Sequence, residues 1–188
     1  VTILVCELIL TLDGWARGKR SPGFYGYSGP EFDAWLKSND TTPHRNLLGR
    51  RTYEMLNELP TEARDESYER MTTTPGWVFS TTLEAVDWSG LSVVHDDPVG
   101  FVRTLKQESG LEVRTVGSLS LVRQLLMAGL VDRLKLTVCP LILPQTGDEA
   151  MFEGLPDMGF DLVSSTVLDG RVLVLEYRPT GAPPYGDQ

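Results

Sequence analysis

The sequence predicts an α/β fold with a mostly parallel central sheet that finishes in an antiparallel hairpin. Three observations carry that expectation. The chain opens on VTILVCELIL, an apolar, β-branched run too short for a typical helix and suited to a strand buried on both faces near the centre of a sheet. Downstream, strand-like and helix-like segments alternate, which requires parallel pairing through crossover helices. Near the end, FDLVSSTVL and RVLVLEY flank Asp169-Gly170, the strongest short hairpin signal.

Each element follows in order. After the opening strand, TLDGWARGKRSPGFYGYSGP is dense in Gly, Pro and aromatics, as expected of a long loop with a function. Its Trp15, Phe24, Tyr25 and Tyr27 argue against disorder. Pro30 suits a first helical position, and Phe32, Trp35 and Leu36 share one helical face, so a helix is expected over about 30–38. NLLG then reads as a brief strand and RRTYEMLNEL as a helix stopped by Pro60. The acid-rich stretch 54–69 reads as a solvated helical or loop excursion. Strands follow at 77–80 and 91–94, then a helix capped by Asp97 and Pro98 and ended by Gly110. EVRTVG is a strand and SLSLVRQLLMAG a helix, with Ser118 at its start and Gly129 at its end. DRLKLTVCPLIL is a strand in which Pro140 implies a bulge or an edge position. One domain is expected over 1–178, with a flexible C-terminal tail over 179–188.

The 188 residues suffice for a single domain with a sizeable core. A formal net charge of −9 disfavours nucleic acid and anionic membrane as partners. That charge is uneven. Between Gly14 and Arg51, seven basic residues face three acids, so this stretch carries +4 inside an otherwise acidic chain. No apolar run is long enough to span a bilayer and the start lacks the basic region of a signal peptide, so a cytoplasmic location is expected. Cys6 and Cys139 lie in apolar stretches without metal-ligand or CxxC spacing, as expected of buried thiols, with any pairing left to geometry. His44 and His95 have the context of loop and turn residues, and no metal-ligand spacing or hydrolase nucleophile motif accompanies them.

Chemistry is expected at the carboxyl ends of the strands, where open α/β sheets bind ligands. Three segments have that placement: LTLDGW, LGRRTYE and VGSLSLV. In the second, Gly49 allows close backbone approach, Thr52 can bond a phosphate oxygen, and the free N–H groups of the helix attract anions. Arg50 and Arg51 oppose the helix dipole there, by roughly a few tenths of a kcal/mol each, and a bound anion would offset that. Solvated arginines on a turn are the plain alternative. In the third, Gly117-Ser118 leads into an apolar helix whose N–H groups suit a diphosphate, although an ordinary serine cap accounts for the same residues. Neither GxGxxG after the first strand nor GxxxxGK[ST] occurs, which removes the Rossmann and P-loop readings.

Taken together, Leu12-Asp13-Gly14, Gly49-Arg50-Arg51-Thr52-Tyr53-Glu54, Gly117-Ser118 and Gly129-Leu130-Val131-Asp132-Arg133-Leu134 resemble the dihydrofolate reductase-like superfamily. Within it, the likeness is to the reductase domain of bacterial bifunctional riboflavin biosynthesis deaminase-reductases, here in stand-alone form. The resemblance implies a three-layer α/β/α fold and an NADPH-dependent oxidoreductase acting on a small heteroaromatic or ribityl-bearing molecule, of the 5-amino-6-(5-phosphoribosylamino)uracil reductase type. It assigns Gly49, Arg50, Arg51 and Thr52 to the cofactor phosphates, the arginines matching a 2′-phosphate. Ser80 and Thr81 fall near that phosphate, with strand-end capping as their ordinary role. Gly117, Ser118 and Leu119 fall along the diphosphate and nicotinamide, where relatives often carry Gly-Gly with a cis peptide. Asp13 would orient substrate or ribose, or simply cap its turn. Asp33 or Glu31 stands where folate-reducing members place a proton donor. A homodimer follows by analogy. The alternatives are a dihydrofolate or pterin reductase and a non-catalytic binding or dimerisation module that keeps the fold.

Overall fold

The structure, a computed structural model, describes residues 1–108 and 110–185. The opening run forms β1 (Leu4–Thr11). It is flanked on both sides by parallel partners, β6 (Glu112–Gly117) and β7 (Arg133–Cys139). Beyond β6 lie β3 (His44–Gly49), β4 (Gly76–Phe79) and β5 (Leu91–Val94), all parallel. Beyond β7 come two antiparallel strands, β10 (Val172–Gly181) and β9 (Gly159–Leu168), so the eight-stranded order is β5-β4-β3-β6-β1-β7-β10-β9.

Side-chain alternation along β1 sorts the core into two layers. Leu4, Cys6, Leu8 and Leu10 face α4 (Pro98–Leu105) and α5 (Leu119–Met127), in one cluster with Val102, Leu105, Val122, Leu125 and Leu126. Truncating one of these leucines to alanine costs about 2–5 kcal/mol. The opposite face carries α1 (Pro30–Thr41), α2 (Arg50–Asn57) and α3 (Glu66–Thr73). There Phe32 packs on Leu168, Val172 and Val174, while Tyr53, Tyr68 and Trp88 enclose Leu48 and Val78. Both cysteines are buried and free, and burial pushes the Cys6 thiol up to about 12.

The hairpin turns where expected, with Asp169 at φ 49° and Gly170 at φ 65°. The side chain of Asp169 does more than turn the chain. Its carboxylate accepts the backbone N–H groups of Glu31 (3.1 Å) and Phe32 (2.9 Å), and the Glu31 carboxylate accepts the N–H of Asp169 (2.5 Å). This reciprocal cap joins the start of α1 to a turn 138 residues away. Asp132 likewise has a structural role, accepting the Leu4 N–H at 2.8 Å and pairing with Lys106.

Several expectations need correction. The loop after β1 contains β2 (Trp15–Gly18), paired with β8 (Gly147–Ala150) in a separate two-stranded sheet. The segment GDEA has no apolar alternation to announce it. Pro140 makes no bulge, because β7 ends at Cys139 and the chain leaves the sheet. The acid-rich stretch takes both of the forms expected for it, loop around Pro60 and helix at either end, with Asp65 capping α3 by accepting the Tyr68 N–H at 2.9 Å. Helix α1 runs on to Thr41, past the expected end near 38. Strand β10 continues past residue 178, with Pro179 opposite Phe160 and Gly181 opposite Gly159. Residues 186–188 of the expected tail lie outside the described residues. Among the described residues no helix is long and apolar enough to cross a membrane.

Candidate active site

The site grows from one consequence of strand order. Because β3 and β6 are parallel neighbours, with Leu48 opposite Gly117, the helices that follow them start side by side. The approach is close enough to dictate glycine. A Cβ on Gly49 would lie 2.4 Å from Ser118 Oγ, and one on Gly117, at φ 126°, would lie 2.8 Å from Thr52 Oγ1. Gly49 therefore admits the neighbouring strand-helix junction. The Gly117-Ser118 peptide is cis.

Neither helix start is capped by a side chain. Ser118 stands at the cap position, but its hydroxyl lies 2.9 Å from that of Ser120 instead. Two sets of first-turn N–H groups thus share one edge of the cleft without a side-chain acceptor among the described residues. Such groups carry partial positive charge and suit an anion.

The two arginines part company here. Arg50 is tied to the Glu54 carboxylate at 3.0 Å and lies outside the cleft lining, whereas Arg51 and Thr52 line it. Arg51 has no ion-pair partner among the described residues. Ser80 follows the end of β4, one strand beyond Gly49, and its hydroxyl accepts the N–H groups of Thr82 (3.1 Å) and Leu83 (2.9 Å). Thr81 is exposed beside it, and neither residue lines the cleft.

Asp13 is occupied by the fold. Its carboxylate accepts the Thr11 hydroxyl at 2.6 Å and the Leu143 N–H at 2.8 Å. Desolvation works against ionisation there, but the hydrogen bonds from Thr11 and Leu143 outweigh it and hold the carboxyl below its usual range. Asp13 is consequently an ionised anchor between the first turn and the segment after β7, with no proton to give near neutral pH. Asp33 is different: it lines the cleft from α1, and its carboxylate has no hydrogen-bond partner among the described residues. Glu31 is engaged in the cap on Asp169.

The cleft has a volume of about 1740 Å³ and runs between α1 on one side and α2 and α3 on the other. Single-ligand pockets typically span about 300–1,000 Å³, so this one has room for a dinucleotide and a second molecule. Leu119 lines it beside Gly117 and Ser118, and Ile9, Thr137, Glu7 and Lys135 contribute from the sheet. Glu7 and Lys135 are paired at 2.8 Å, with Asn39 of α1 bonded to both. Sequence reasoning passed over these three residues. The available signal was a charge at Glu7 within an otherwise apolar strand and another at Lys135 in its partner. At the mouth, Arg17 pairs with Asp148 (2.5 Å) and Glu149 (3.3 Å), and Arg123 donates to the carbonyls of Ala150 and Met151, fastening the β2–β8 sheet to α5.

Comparisons with known proteins agree with this architecture. A family model described as the RibD C-terminal domain matches residues 2–174. YyaP, an uncharacterized protein of Bacillus subtilis (strain 168), is 24% identical over 186 residues, covering 95% of each chain. Among solved structures, a protein from Shewanella sp. PV-4 provisionally ascribed to riboflavin biosynthesis superposes with a TM-score of 0.70 at 19% identity, covering 95% of this chain and 99% of that one. A dihydrofolate reductase from Enterococcus faecalis, complexed with NADP(H) and RAB-propyl, superposes with a TM-score of 0.63 at 16% identity, covering 95% and 96%. The three-layer fold is thus dihydrofolate reductase-like.

Proposed function

The chain belongs to the family of RibD C-terminal domains, and from that premise we propose that it is an NADPH-dependent reductase transferring hydride to a small heteroaromatic or ribityl-bearing substrate. Its reaction would be of the riboflavin-biosynthesis reductase type, patterned on 5-amino-6-(5-phosphoribosylamino)uracil reduction. The observation that supports this reading most is the meeting of two uncapped helix starts beside Arg51, Thr52 and a cleft large enough for two molecules.

When bound, NADPH supplies the hydride. The first-turn N–H groups of α2 and α5, with the Thr52 hydroxyl, would hold its diphosphate. Arg51 would hold the 2′-phosphate, leaving Arg50 to its pair with Glu54. Gly117, Ser118 and Leu119 would bring the nicotinamide end over the sheet, next to Ile9 and Thr137. A two-electron reduction also needs a proton, and Asp33 is placed to hold one at its carboxyl and pass it directly or through water. That same placement of Asp33 favours the pterin reductase as the second reading.

The proposed assembly is a homodimer. Strand β9 is one of the two edges of the large sheet, and Leu162, Val163 and Val167 on it are exposed, a liability that pairing with a second copy would remove.

Calorimetric titration with NADPH and NADH tests the cofactor. NADPH is expected to bind at least ten-fold more tightly. Absence of binding by either would overturn the enzyme reading, and equal binding would remove the 2′-phosphate role.

A further inference from the structure

We infer that Phe24, held in the cleft wall by a left-handed turn, is the surface against which the flat ring of the substrate packs. This rests on the reductase reading above and adds to it a residue that selects the substrate.

The backbone is the first observation. In the short turn Gly23–Gly26, Phe24 (φ 51°, ψ 24°) and Tyr25 (φ 53°, ψ 23°) are both left-handed. Bulky side chains avoid that region, and they stay in it only where the surroundings enforce it, often at ligand clamps. Glycine stands on either side, yet the two central positions are aromatic. The enforcement comes from several directions. The Tyr25 hydroxyl donates to the Trp15 carbonyl (2.6 Å), the Tyr27 hydroxyl donates to the Pro140 carbonyl (3.1 Å), and the Cys139 thiol faces the Phe24 carbonyl (3.9 Å). Tyr25 therefore has a structural reason to be aromatic. The Phe24 side chain is the second observation. It lines the cleft at 36% exposure, while its ring meets that of the buried Phe32 edge to face, 5.3 Å between centroids. The turn thus holds an aromatic surface rigidly at the cleft instead of burying it.

Its position favours the substrate over the cofactor. The helix starts proposed to hold the cofactor phosphates follow β3 and β6. Cys139, beside Phe24, ends β7, which lies two strands from β6 across β1. At the usual strand spacing that separation is roughly 10 Å, so Phe24 stands over the part of the cleft left for a second molecule. Asp33 enters from the same side, because Phe32 directly precedes it on α1. A flat heteroaromatic ring gains from offset stacking or edge contact with a phenyl ring, and a ring already immobilised loses little entropy when the ligand arrives.

The test is calorimetric binding of lumazine, a flat fused heteroaromatic, to the protein saturated with NADP⁺, in wild type, Phe24→Leu, Phe24→Gly and Phe24→Tyr. Leucine keeps apolar cover over Phe32 without an aromatic face. Glycine accepts the left-handed backbone without strain, so a folded variant lacking the ring is available either way. Both are expected to weaken lumazine at least five-fold, while Phe24→Tyr binds it within two-fold of wild type and all three hold NADP⁺ within two-fold. A lowered urea midpoint with unchanged lumazine affinity would overturn the inference, leaving Phe24 as a cover for Phe32. Equal losses of lumazine and NADP⁺ would overturn it by placing the ring against the cofactor. Wild type that binds NADP⁺ but not lumazine would sink the packing role alone, whereas failure to bind NADP⁺ would sink the reductase reading and the inference with it.

Discussion

Arg50 and Arg51 are adjacent, chemically identical and separated in role by what their side chains meet. Arg50 reaches Glu54 one turn along α2, an exposed i,i+4 pair worth about 0.3–0.5 kcal/mol. Arg51, at the cleft, has no such partner among the described residues. Arg51→Ala is therefore expected to weaken NADPH binding by about ten-fold, equivalent to about 1.4 kcal/mol, and NADH binding by much less. Arg50→Ala should change either by under two-fold. Titrating both variants with both cofactors checks this, and equal losses from the two substitutions would contradict it. The neighbouring glycines show the same dependence on surroundings. Gly49 and Gly117 are both part of recognisable motifs, yet the atoms that exclude a Cβ at each belong to the other junction.

At the scale of elements, the hairpin and the first helix are one unit. Asp169 supplies the cap that α1 lacks locally, since Gly29 in the cap position has no side chain, and a Cβ there would lie 2.4 Å from the Asp169 carboxyl carbon. Asp169→Ala should destabilise the protein by about 1 kcal/mol through loss of that cap. Urea denaturation would read this as a lowered midpoint at unchanged slope. Asp169→Asn should recover part of the loss, because the amide oxygen can still accept one of the two N–H groups. No recovery would show that charge, rather than hydrogen bonding, holds the junction. Because α1 carries Asp33 and Asn39 into the cleft, a turn at the far end of the chain helps position the side of the site where substrate is proposed to lie.

For the whole molecule, one edge of the sheet is β5 and the other is β9. Strand β9 is ten residues long, with seven consecutive exposed positions, Asp161 to Val167. If this edge joins two copies, Val163→Lys with Val167→Lys should convert a dimer to a monomer in light scattering while the fold stays intact by circular dichroism, since both side chains already lie in solvent. A wild-type protein that is monomeric at micromolar concentration would refute the assembly.

Much of this molecule was legible in the residues because the relevant forces are local. Alternating strand and helix patterns, the left-handed Asp169-Gly170 turn and the GRRTYE and VGSLS junctions each depend on neighbours in sequence, and all appear where expected. The β2–β8 pair and the fate of Pro140 were not legible, because distant partners and chain direction govern them. The site divides in the same way. The anion-binding role proposed for it rests on two sequence motifs, but which arginine lacks an ion-pair partner among the described residues and which acid lines the cleft depend on side chains brought together from distant parts of the chain. Electrostatic and hydrogen-bond energies depend on distances through space, and those distances exist only once the sheet has placed its strands side by side.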